Sequence, residues 1–191
     1  IKVQGTMGLT DEDVKAIEKI EGVEEVEAAY SQDVLCERDD TQKVLHVMTL
    51  LDTLNQIEIV EGRLPEQADE VILDTDFVDS TSYEIGDEIT FTSGTEESIK
   101  DTFHVQTYTI VGTATTSYYV SDYRGSTTIG TGSVSGFALV MPEVFALDVY
   151  TEIYATVSGA KAEMAYSDAY TEKVDIVIEQ IHLQSKTGGK S

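Results

Sequence analysis

The sequence predicts an α+β fold in which helices lie near the two ends of the chain and β-strands fill the middle. Apolar residues recur at helical spacing after Thr10, and again over residues 162–182. Between these segments, short runs of β-branched and aromatic residues alternate with turns marked by Gly or Pro. This distribution indicates a β-rich centre with a helix at each end.

A short amphipathic helix is predicted directly after Thr10, which suits the N-cap position. The acidic residues 11–13 favour the positive end of the helix dipole, and capping explains them more simply than a metal site does. We expect Gly22 to end the helix. Its apolar face is formed by residues three positions apart, namely Val14, Ile17 and Ile20.

A strand is expected over residues 23–30, followed by a hairpin of residues 34–36 and 43–50. The polar tip of this hairpin carries Asp39 and Asp40. A calcium-binding loop needs several converging oxygens and an enforcing Gly, and no Gly is present here. We therefore expect an ordinary polar hairpin tip.

Two β-type stretches with tight turns organise the centre of the chain. Gly62 and Pro65 stop the first, residues 57–60, because Gly permits positive φ and Pro donates no ladder hydrogen bond. The second turns at residues 86–87 and continues as a strand over residues 88–92. The other strands are predicted over residues 71–73, 103–111 (ending at Gly112), 137–141 and 150–157.

Carboxylates follow the strand of residues 71–73. Asp74 is expected to begin a helical turn, and a second carboxylate cluster of Asp74, Asp76 and Asp79 is the alternative. A polar exposed loop is predicted over residues 93–101. Pro142 is expected at a helix start, where its missing N–H is not needed.

Residues 113–136 form the least regular region, and two interpretations stay open for it. One is a long mobile surface loop. The other is a contact loop, because long irregular loops are often functional and Tyr and Arg are favoured at interfaces. The candidate contact residues are Tyr118, Tyr119, Tyr123 and Arg124. The following Gly-rich run lacks the Lys or helix N-terminus that a phosphate cradle requires.

Four segments occur in the order of a known family: residues 60–65 (VEGRLP), 70–73 (EVIL), 85–89 (IGDEI) and 108–112 (YTIVG). In this order they resemble the MacB-type extracytoplasmic (periplasmic core) domain of FtsX-like ABC transporter permeases. The resemblance extends more loosely from about Leu9 to about Ile181. Ser-Tyr and Arg-Gly-Ser elements near residue 120 resemble those of Gram-positive members.

The resemblance implies a discontinuous, porter-like α+β part made of residues 1–50 and 142–191, with an inserted β-rich, sabre-like part of residues 51–141. It also implies a domain on the extracellular face of the cell membrane, held by flanking helices and working with a cytoplasmic ATPase subunit. Such a domain relays ATPase-driven conformational change to a substrate or partner outside the membrane and has no cofactor. The chain begins with Ile and contains no membrane span, so we expect an excised piece.

The charge balance excludes some partners. With 12 Lys and Arg against 36 Asp and Glu, the formal charge is -24, which repels phosphate backbones and makes nucleic acid an improbable partner. The same field attracts Ca²⁺, Mg²⁺ and cationic peptides, so a cationic peptide or an envelope protein is a candidate partner. A solvated acidic surface explains the charge more simply. Cys36 is the only cysteine, which excludes an intramolecular disulfide.

No enzymatic activity is predicted. The three histidines, His46, His104 and His182, lack partners at metal-ligand spacing, and no G-x-S-x-G motif is present. The alternative function is a free-standing extracellular binding or adhesion module with Ca²⁺ held by Asp39 and Asp40, or by Asp74, Asp76 and Asp79. A third function, an acid-rich hydrolase, has no catalytic constellation in its favour.

Overall fold

The computed structural model describes residues 2–51, 57–116 and 127–157. These residues are mostly β-strand with short helices, which is compatible with the expected α+β class. The elements are, in chain order, β1 (Lys2–Leu9), α1 (Asp11–Glu18), β2 (Val23–Ala29), β3 (Ser31–Arg38), β4 (Thr41–Thr49), β5 (Ile57–Gly62), β6 (Glu70–Asp74), α2 (Thr75–Asp79), β7 (Glu88–Thr90), β8 (Thr107–Thr116), β9 (Val134–Val140) and β10 (Tyr150–Val157). Single 3-10 turns occur at Ile99–Asp101 and Pro142–Val144.

The chain divides into two units. The smaller unit comprises Ile1–Ala29 and Val149–Ser191, of which the second segment is described up to Val157, and the larger unit is Tyr30–Asp148. The first boundary between the units lies at residues 29/30, whereas the sequence division places it at 50/51. The second boundary lies at residues 148/149, whereas the sequence division places it at 141/142. The physical reason is that the β3–β4 hairpin pairs with β9 and so belongs to the larger unit. The porter-like and sabre-like assignment stays a prediction.

The smaller unit is a split β-α-β arrangement. Its described strands follow the order β1-β10-β2, with β10 antiparallel to both neighbours, and α1 connects β1 to β2. The N-cap prediction is confirmed, since the Thr10 N–H donates to Asp13 Oδ2 at 2.8 Å. Ile17 and Ile20 are buried, as their helical spacing predicted. The helix ends at Glu18, four residues before Gly22, and the predicted helix of residues 162–182 lies outside the described residues.

In the described part of the larger unit, seven strands form one sheet in the order β3-β4-β9-β6-β8-β5, with β7 also paired to β8. Leu35 in β3 and Thr92, two residues after β7, exchange backbone hydrogen bonds of 2.9 and 2.8 Å. Because β7 pairs with β8, this bridge connects the β3 edge to the far side of the sheet. The strands therefore wrap around the side chains that point inward.

The inward side chains form the main core of the larger unit. Alternate residues of the paired strands are buried there, as the period of two for a strand requires. Four aromatic residues pack in contact: Phe91 lies 4.8 Å from Tyr108 and 5.9 Å from Phe103, and Phe103 lies 4.9 Å from Phe145 between ring centroids. The buried Tyr108 hydroxyl donates to the Val105 carbonyl at 2.7 Å. These four rings thus form an aromatic cluster within the core, and the hydroxyl of Tyr108 is hydrogen-bonded.

The predicted polar hairpin tip is confirmed and has a specific turn geometry. Arg38 pairs with Thr41, so that only Asp39 and Asp40 connect the strands. Both aspartates have positive φ, 53° and 58°, which is the pattern of a two-residue type I′ hairpin turn. Asp tolerates this conformation because its short side chain can hydrogen-bond locally. Turn chemistry therefore accounts for the two carboxylates at this tip.

Asp74 begins a helical turn, as expected. Its carboxylate accepts the Asp76 N–H at 3.0 Å and so caps α2. Within residues 2–51, 57–116 and 127–157, no group of three or more His, Cys, Asp or Glu side chains is arranged to hold a metal ion. No helix in the described ranges is both long enough and apolar enough to span a membrane.

Several strand boundaries in the centre differ from the sequence prediction. The strand predicted from residue 103 to Gly112 is wrong at both ends, because β8 runs from Thr107 to Thr116. In addition, β7 ends at Thr90 instead of residue 92, and β9 begins at Val134 instead of residue 137. Gly112 is an interior position of β8, where it pairs with Gly62 of β5. The Gly marks a close approach of two backbones here, and not a turn.

The turn from Gly62 to Glu70 is held by a buried carboxylate. Arg63 donates to both oxygens of Glu70, at 2.6 and 2.9 Å, and the N–H groups of Glu66 and Gln67 donate to the same carboxylate at 2.6 and 3.1 Å. The Glu70 side chain is only 9% exposed. The hydrogen bonds from Arg63 and then from the backbone lower the pKa of Glu70 to about 2. The network therefore ties together two of the four resembling segments, residues 60–65 and 70–73, through Arg63 and Glu70.

The lowered pKa of Glu70 predicts how stability changes with pH. Because the folded pKa of about 2 lies below the ordinary value of 4.5, ionised Glu70 stabilises the fold above about pH 4.5, and this contribution is lost as the pH falls from there towards 2. We expect Glu70→Gln to lower stability at pH 7 and to reduce the proton uptake on unfolding between pH 4.5 and 2 by up to about one proton. Urea unfolding at a series of pH values measures both quantities. Glu66→Gln, at a carboxylate that is 74% exposed, is the control. If the free energy of unfolding of Glu70→Gln depended on pH between 4.5 and 2 as steeply as that of the unchanged protein, the prediction would be wrong.

Candidate functional site

The candidate contact residues Tyr118, Tyr119, Tyr123 and Arg124 lie outside the described residues. The contact-loop interpretation therefore stays a prediction. On the C-terminal side of this segment, residues 127–133 are described and pack against β3, β4 and β9 of the same unit. Ile129 is buried in a cluster with Leu35, Val44 and Val134. This part of the region predicted as a loop is consequently a packed turn that leads into β9.

Hydrogen bonds among three polar side chains also hold this turn in place. His46 Nδ1 lies 2.6 Å from Asp33 Oδ1, and the Thr127 hydroxyl donates to Asp33 Oδ2 at 2.7 Å. Burial disfavours ionisation of Asp33, but the hydrogen bonds from His46 and Thr127 outweigh it and hold the Asp33 pKa below its usual value. The Thr127 hydroxyl donates to a carboxylate and not to the imidazole, so the trio lacks the nucleophile–base contact of covalent catalysis. It anchors Thr127 to β3 and β4.

The concave site of interest lies in the larger unit, at the end of the β3–β4 hairpin. A cavity of about 320 Å³ opens there between the hairpin and the segment that follows α2. Cys36 pairs with Lys43, and Arg38 pairs with Thr41, so these four side chains lie on one face of the hairpin. The opposite wall comes from Phe77 and residues 80–83. We call this cavity the hairpin pocket.

Arg38 forms one fixed wall of the hairpin pocket. Its Nε donates to Ser82 Oγ at 3.1 Å, and its Nη2 donates to the Ser82 carbonyl at 3.2 Å and to Asp87 Oδ2 at 2.9 Å. The guanidinium carbon lies 4.5 Å from the centre of the Tyr83 ring, a cation–π geometry. The charge of Arg38 is therefore already balanced by Asp87, and its position is set by three residues of the segment between α2 and β7.

The apolar wall of the pocket is aromatic. Phe77 and Tyr83 stack with ring centroids 5.9 Å apart, and Tyr83 is 4% exposed. Burial, with the nearby Cys36 thiol, raises the pKa of Tyr83 to about 12. The Tyr83 hydroxyl donates to the Glu37 carbonyl at 3.5 Å. Tyr83 therefore acts as a neutral packing surface and not as an acid or base.

The remaining polar groups of the pocket divide into one donor and several acceptors. Among the described residues, Lys43 has no ion pair or hydrogen bond to its ammonium group. Ser80 Oγ donates to the Phe77 carbonyl at 2.9 Å, and Thr81 Oγ1 donates to the Val78 carbonyl at 3.2 Å. Both hydroxyls therefore donate to the protein, and Thr81 Oγ1 also accepts the Tyr83 N–H at 3.4 Å. Asp39 accepts the Ser82 hydroxyl proton and supplies the carboxylate of the pocket.

Cys36 lies at the base of the pocket and is predicted to be unreactive in the folded protein. It is 2% exposed, and burial raises the pKa of its thiol from 9.0 to about 11. A rise of two units lowers the thiolate fraction at pH 8 by about 100-fold, and the thiolate is the reactive form. We expect alkylation by iodoacetamide to be at least about 100-fold slower in the native than in the urea-unfolded protein. Equal rates would show that Cys36 is not held as described.

The sequence did not single out the hairpin pocket. The signal that was available is the strand period: Arg38 and Lys43 occupy the same face as the apolar Val34 and Leu45. Charged residues at such inward positions near a hairpin end indicate a polar opening of the core. No sequence pattern indicated that Ser80 and Tyr83 line the pocket, because they lie in a segment of the chain that is separate from the hairpin.

The fold resembles solved domains of transporters. The extracellular domain of the noncanonic ABC-type transporter YknZ from Gram-positive bacteria has a TM-score of 0.51 at 10% identity, covering 83% of this chain and 79% of that chain. The periplasmic region of MacB from Actinobacillus actinomycetemcomitans has a TM-score of 0.47 at 9% identity, covering 99% and 86%. No protein-family model matches the sequence, and no curated protein matches it. The chain has the fold of the YknZ extracellular domain, as the sequence resemblance implied.

Proposed function

We propose that this chain is the extracellular domain of an ABC transporter permease of the FtsX-like, MacB type, and that it relays ATPase-driven movement to a substrate or partner outside the membrane. The observation that carries the proposal is the shared fold with the YknZ extracellular domain over 83% of the chain. In this proposal the domain stands at the extracellular face of the cell membrane, joined to it by flanking helices. It carries no cofactor and performs no chemistry of its own.

The connectivity of the smaller unit supports a relay. Lys2 pairs with Tyr154 and Val157 pairs with Val23, so the start of β1 and the end of β10 lie at one end of this sheet. Ala29 pairs with Glu152 at the opposite end, where the chain leaves for the larger unit and returns from it. Hydrogen-bonded strands are stiff along their length. A displacement applied at the first end would therefore be transmitted to both connections at the other end.

The proposed partners follow from the same argument. A cytoplasmic ATPase subunit would drive the movement through the membrane helices, and the segment with Tyr118, Tyr119, Tyr123 and Arg124 would contact the external partner. The formal charge of -24 favours a cationic peptide or a basic surface of an envelope protein. The porter-like and sabre-like parts would correspond to the smaller and larger units.

Flexible insertions at the unit connections test the relay. A short Gly-Ser segment would be placed in the full-length permease between Ala29 and Tyr30, and in a second variant between Asp148 and Val149. We expect the transporter's output in cells to be lost, because a flexible segment does not transmit displacement, while assembly with the ATPase subunit is retained. The matched control places the same insertion between Glu96 and Glu97, in an exposed loop within the larger unit. Full output in both connection variants would refute the proposal.

A further inference from the structure

We propose that the hairpin pocket binds a small zwitterion of the size of an amino acid or a dipeptide. In the bound state the ligand's carboxylate lies at Lys43 and its ammonium group lies at Asp39. This inference concerns a site inside the larger unit and does not rest on the relay function. It follows from the volume, the polar groups and the surrounding charge of the pocket.

The cation of the pocket is available to a ligand. Arg38 is neutralised by Asp87 at 2.9 Å and held by Ser82, whereas the Lys43 ammonium forms no ion pair among the described residues. Lys43 lies opposite Cys36 in the register, on the face that lines the cavity. A carboxylate that enters the pocket meets this ammonium group and the side chain of Thr41. Charge-assisted hydrogen bonds of this kind are stronger than neutral ones.

The other polar groups of the pocket favour a ligand that donates hydrogen bonds. The hydroxyl protons of Ser80 and Thr81 are directed to backbone carbonyls, and Thr81 Oγ1 also accepts the Tyr83 N–H at 3.4 Å, so Ser80 has the more available lone pairs. Asp39 accepts a single proton from Ser82, and a carboxylate has about four acceptor positions. An ammonium or amide N–H of the ligand can bond to these solvent-accessible acceptors in place of water. A simple anion without a donor makes no such bond.

The charge of the whole protein favours a zwitterion over an anion as the ligand. The formal charge is -24, so a ligand with net negative charge is repelled at long range. A zwitterion has no net charge and avoids this repulsion, yet presents a carboxylate at short range. A purely cationic ligand would be attracted by the protein but would place its charge near Lys43. The pocket therefore matches a ligand that carries both signs.

The size and the apolar wall define the remaining part of the ligand. The volume of about 320 Å³ lies at the lower end of the range for small-molecule sites, about 300–1,000 Å³. The aromatic base of the pocket is closed, because Phe77 is 0% and Tyr83 is 4% exposed, and it therefore offers a ligand little apolar surface. A short zwitterion without a large apolar side chain fits these features best. The dipeptide glycyl-glycine carries the required charged groups.

Calorimetric titration of the 191-residue chain with three probes tests the proposal: glycyl-glycine, its N-acetyl form and its C-terminal amide. We expect the zwitterion to bind with a Kd of about 1 mM or tighter. The N-acetyl form loses the ammonium group and the amide loses the carboxylate, so each should bind about tenfold or more weakly. No detectable binding of the zwitterion, or equal binding of all three probes, would overturn the proposal.

Substitutions locate the binding to the hairpin pocket. Lys43→Met keeps the apolar stem of the side chain and removes its charge, and we expect it to weaken binding of the zwitterion about 10- to 100-fold. Asp39→Asn should weaken it similarly, and Asn tolerates the positive φ of this position. Lys100→Met, in an exposed 3-10 turn outside the pocket, is the matched control. Affinity that is unchanged in both Lys43→Met and Asp39→Asn would overturn the proposal even if the zwitterion binds.

Discussion

Replacing Phe91 with alanine is expected to lower the free energy of unfolding of the larger unit by about 3–5 kcal/mol. Phe91 is completely buried, and its ring lies 4.8 Å from Tyr108 and 5.9 Å from Phe103. The substitution removes the transfer free energy of the ring and leaves a cavity that the surrounding strands cannot fill. Domains are stable by only about 5–15 kcal/mol, so this single change removes a large share of the total.

The position of Phe91 in the sheet increases the effect. It lies between β7 and Thr92, and its N–H donates to the Gln106 carbonyl at 2.9 Å. Thr92 then forms the bridge to Leu35 that joins the two sides of the sheet. A cavity at Phe91 loosens the packing directly behind this bridge. Hydrogen exchange of the Leu35 and Thr92 amides should therefore accelerate together with the loss of global stability.

Urea unfolding of Phe91→Ala, compared with Phe91→Leu, measures the effect of the cavity. Leucine fills part of the space, and we expect it to cost less than half as much as alanine. Val60→Ala is the control for a change of apolar volume at the surface, because Val60 is 55% exposed, and its effect should be within about 0.5 kcal/mol. A loss below about 1 kcal/mol in Phe91→Ala would contradict the described core.

The second large effect is expected for Gly62→Ala. Gly62 has a φ of +79°, and a Cβ at this position would overlap the Val111 carbonyl oxygen and lie 2.7 Å from the Gly112 Cα. Both obstacles are backbone atoms of β8, which cannot move aside as a side chain can. We expect a loss of about 2–5 kcal/mol, from the cost of a left-handed residue together with the displacement of β5 from β8.

Gly86→Ala is the matched control for this prediction. Gly86 also has a positive φ, +95°, but no atom lies within 4 Å of a Cβ built there. It therefore isolates the conformational cost, about 1–2 kcal/mol. The excess loss in Gly62→Ala reports the steric clash with β8, measured by urea unfolding of both variants. Equal losses in the two variants would show that β5 does not approach β8 as closely as described.

Local sequence signals predicted the elements whose structure is decided locally. The cap at Thr10, the polar tip at residues 39–40 and the helical start at Asp74 each depend on residues within one turn. The same signals failed at Gly112, because a Gly that ends a strand and a Gly that lets two strands approach look alike in one sequence. Only the partner, Gly62, distinguishes them, and it lies far away in the chain.

The hairpin pocket could not be predicted for a related reason. Its two walls come from residues 36–43 and from residues 77–83, and their contact depends on the order of strands in the sheet. That order includes two pairs of parallel neighbouring strands, β4 with β9 and β6 with β8. No short-range pattern in the sequence specifies these pairs. The Leu35–Thr92 bridge likewise joins residues that are distant in sequence. Long-range pairing, and not residue chemistry, is what the sequence left open.

The pairing of Ala29 with Glu152 has a consequence for how this chain is built. Two antiparallel neighbours, β2 and β10, would need only a loop of a few residues to connect them, and the entire larger unit occupies the place of that loop. The larger unit is thus an insertion into the smaller unit, at a loop position where insertions are tolerated. In such an arrangement the inserted unit can change in sequence or length without altering the strand register of the smaller unit's sheet.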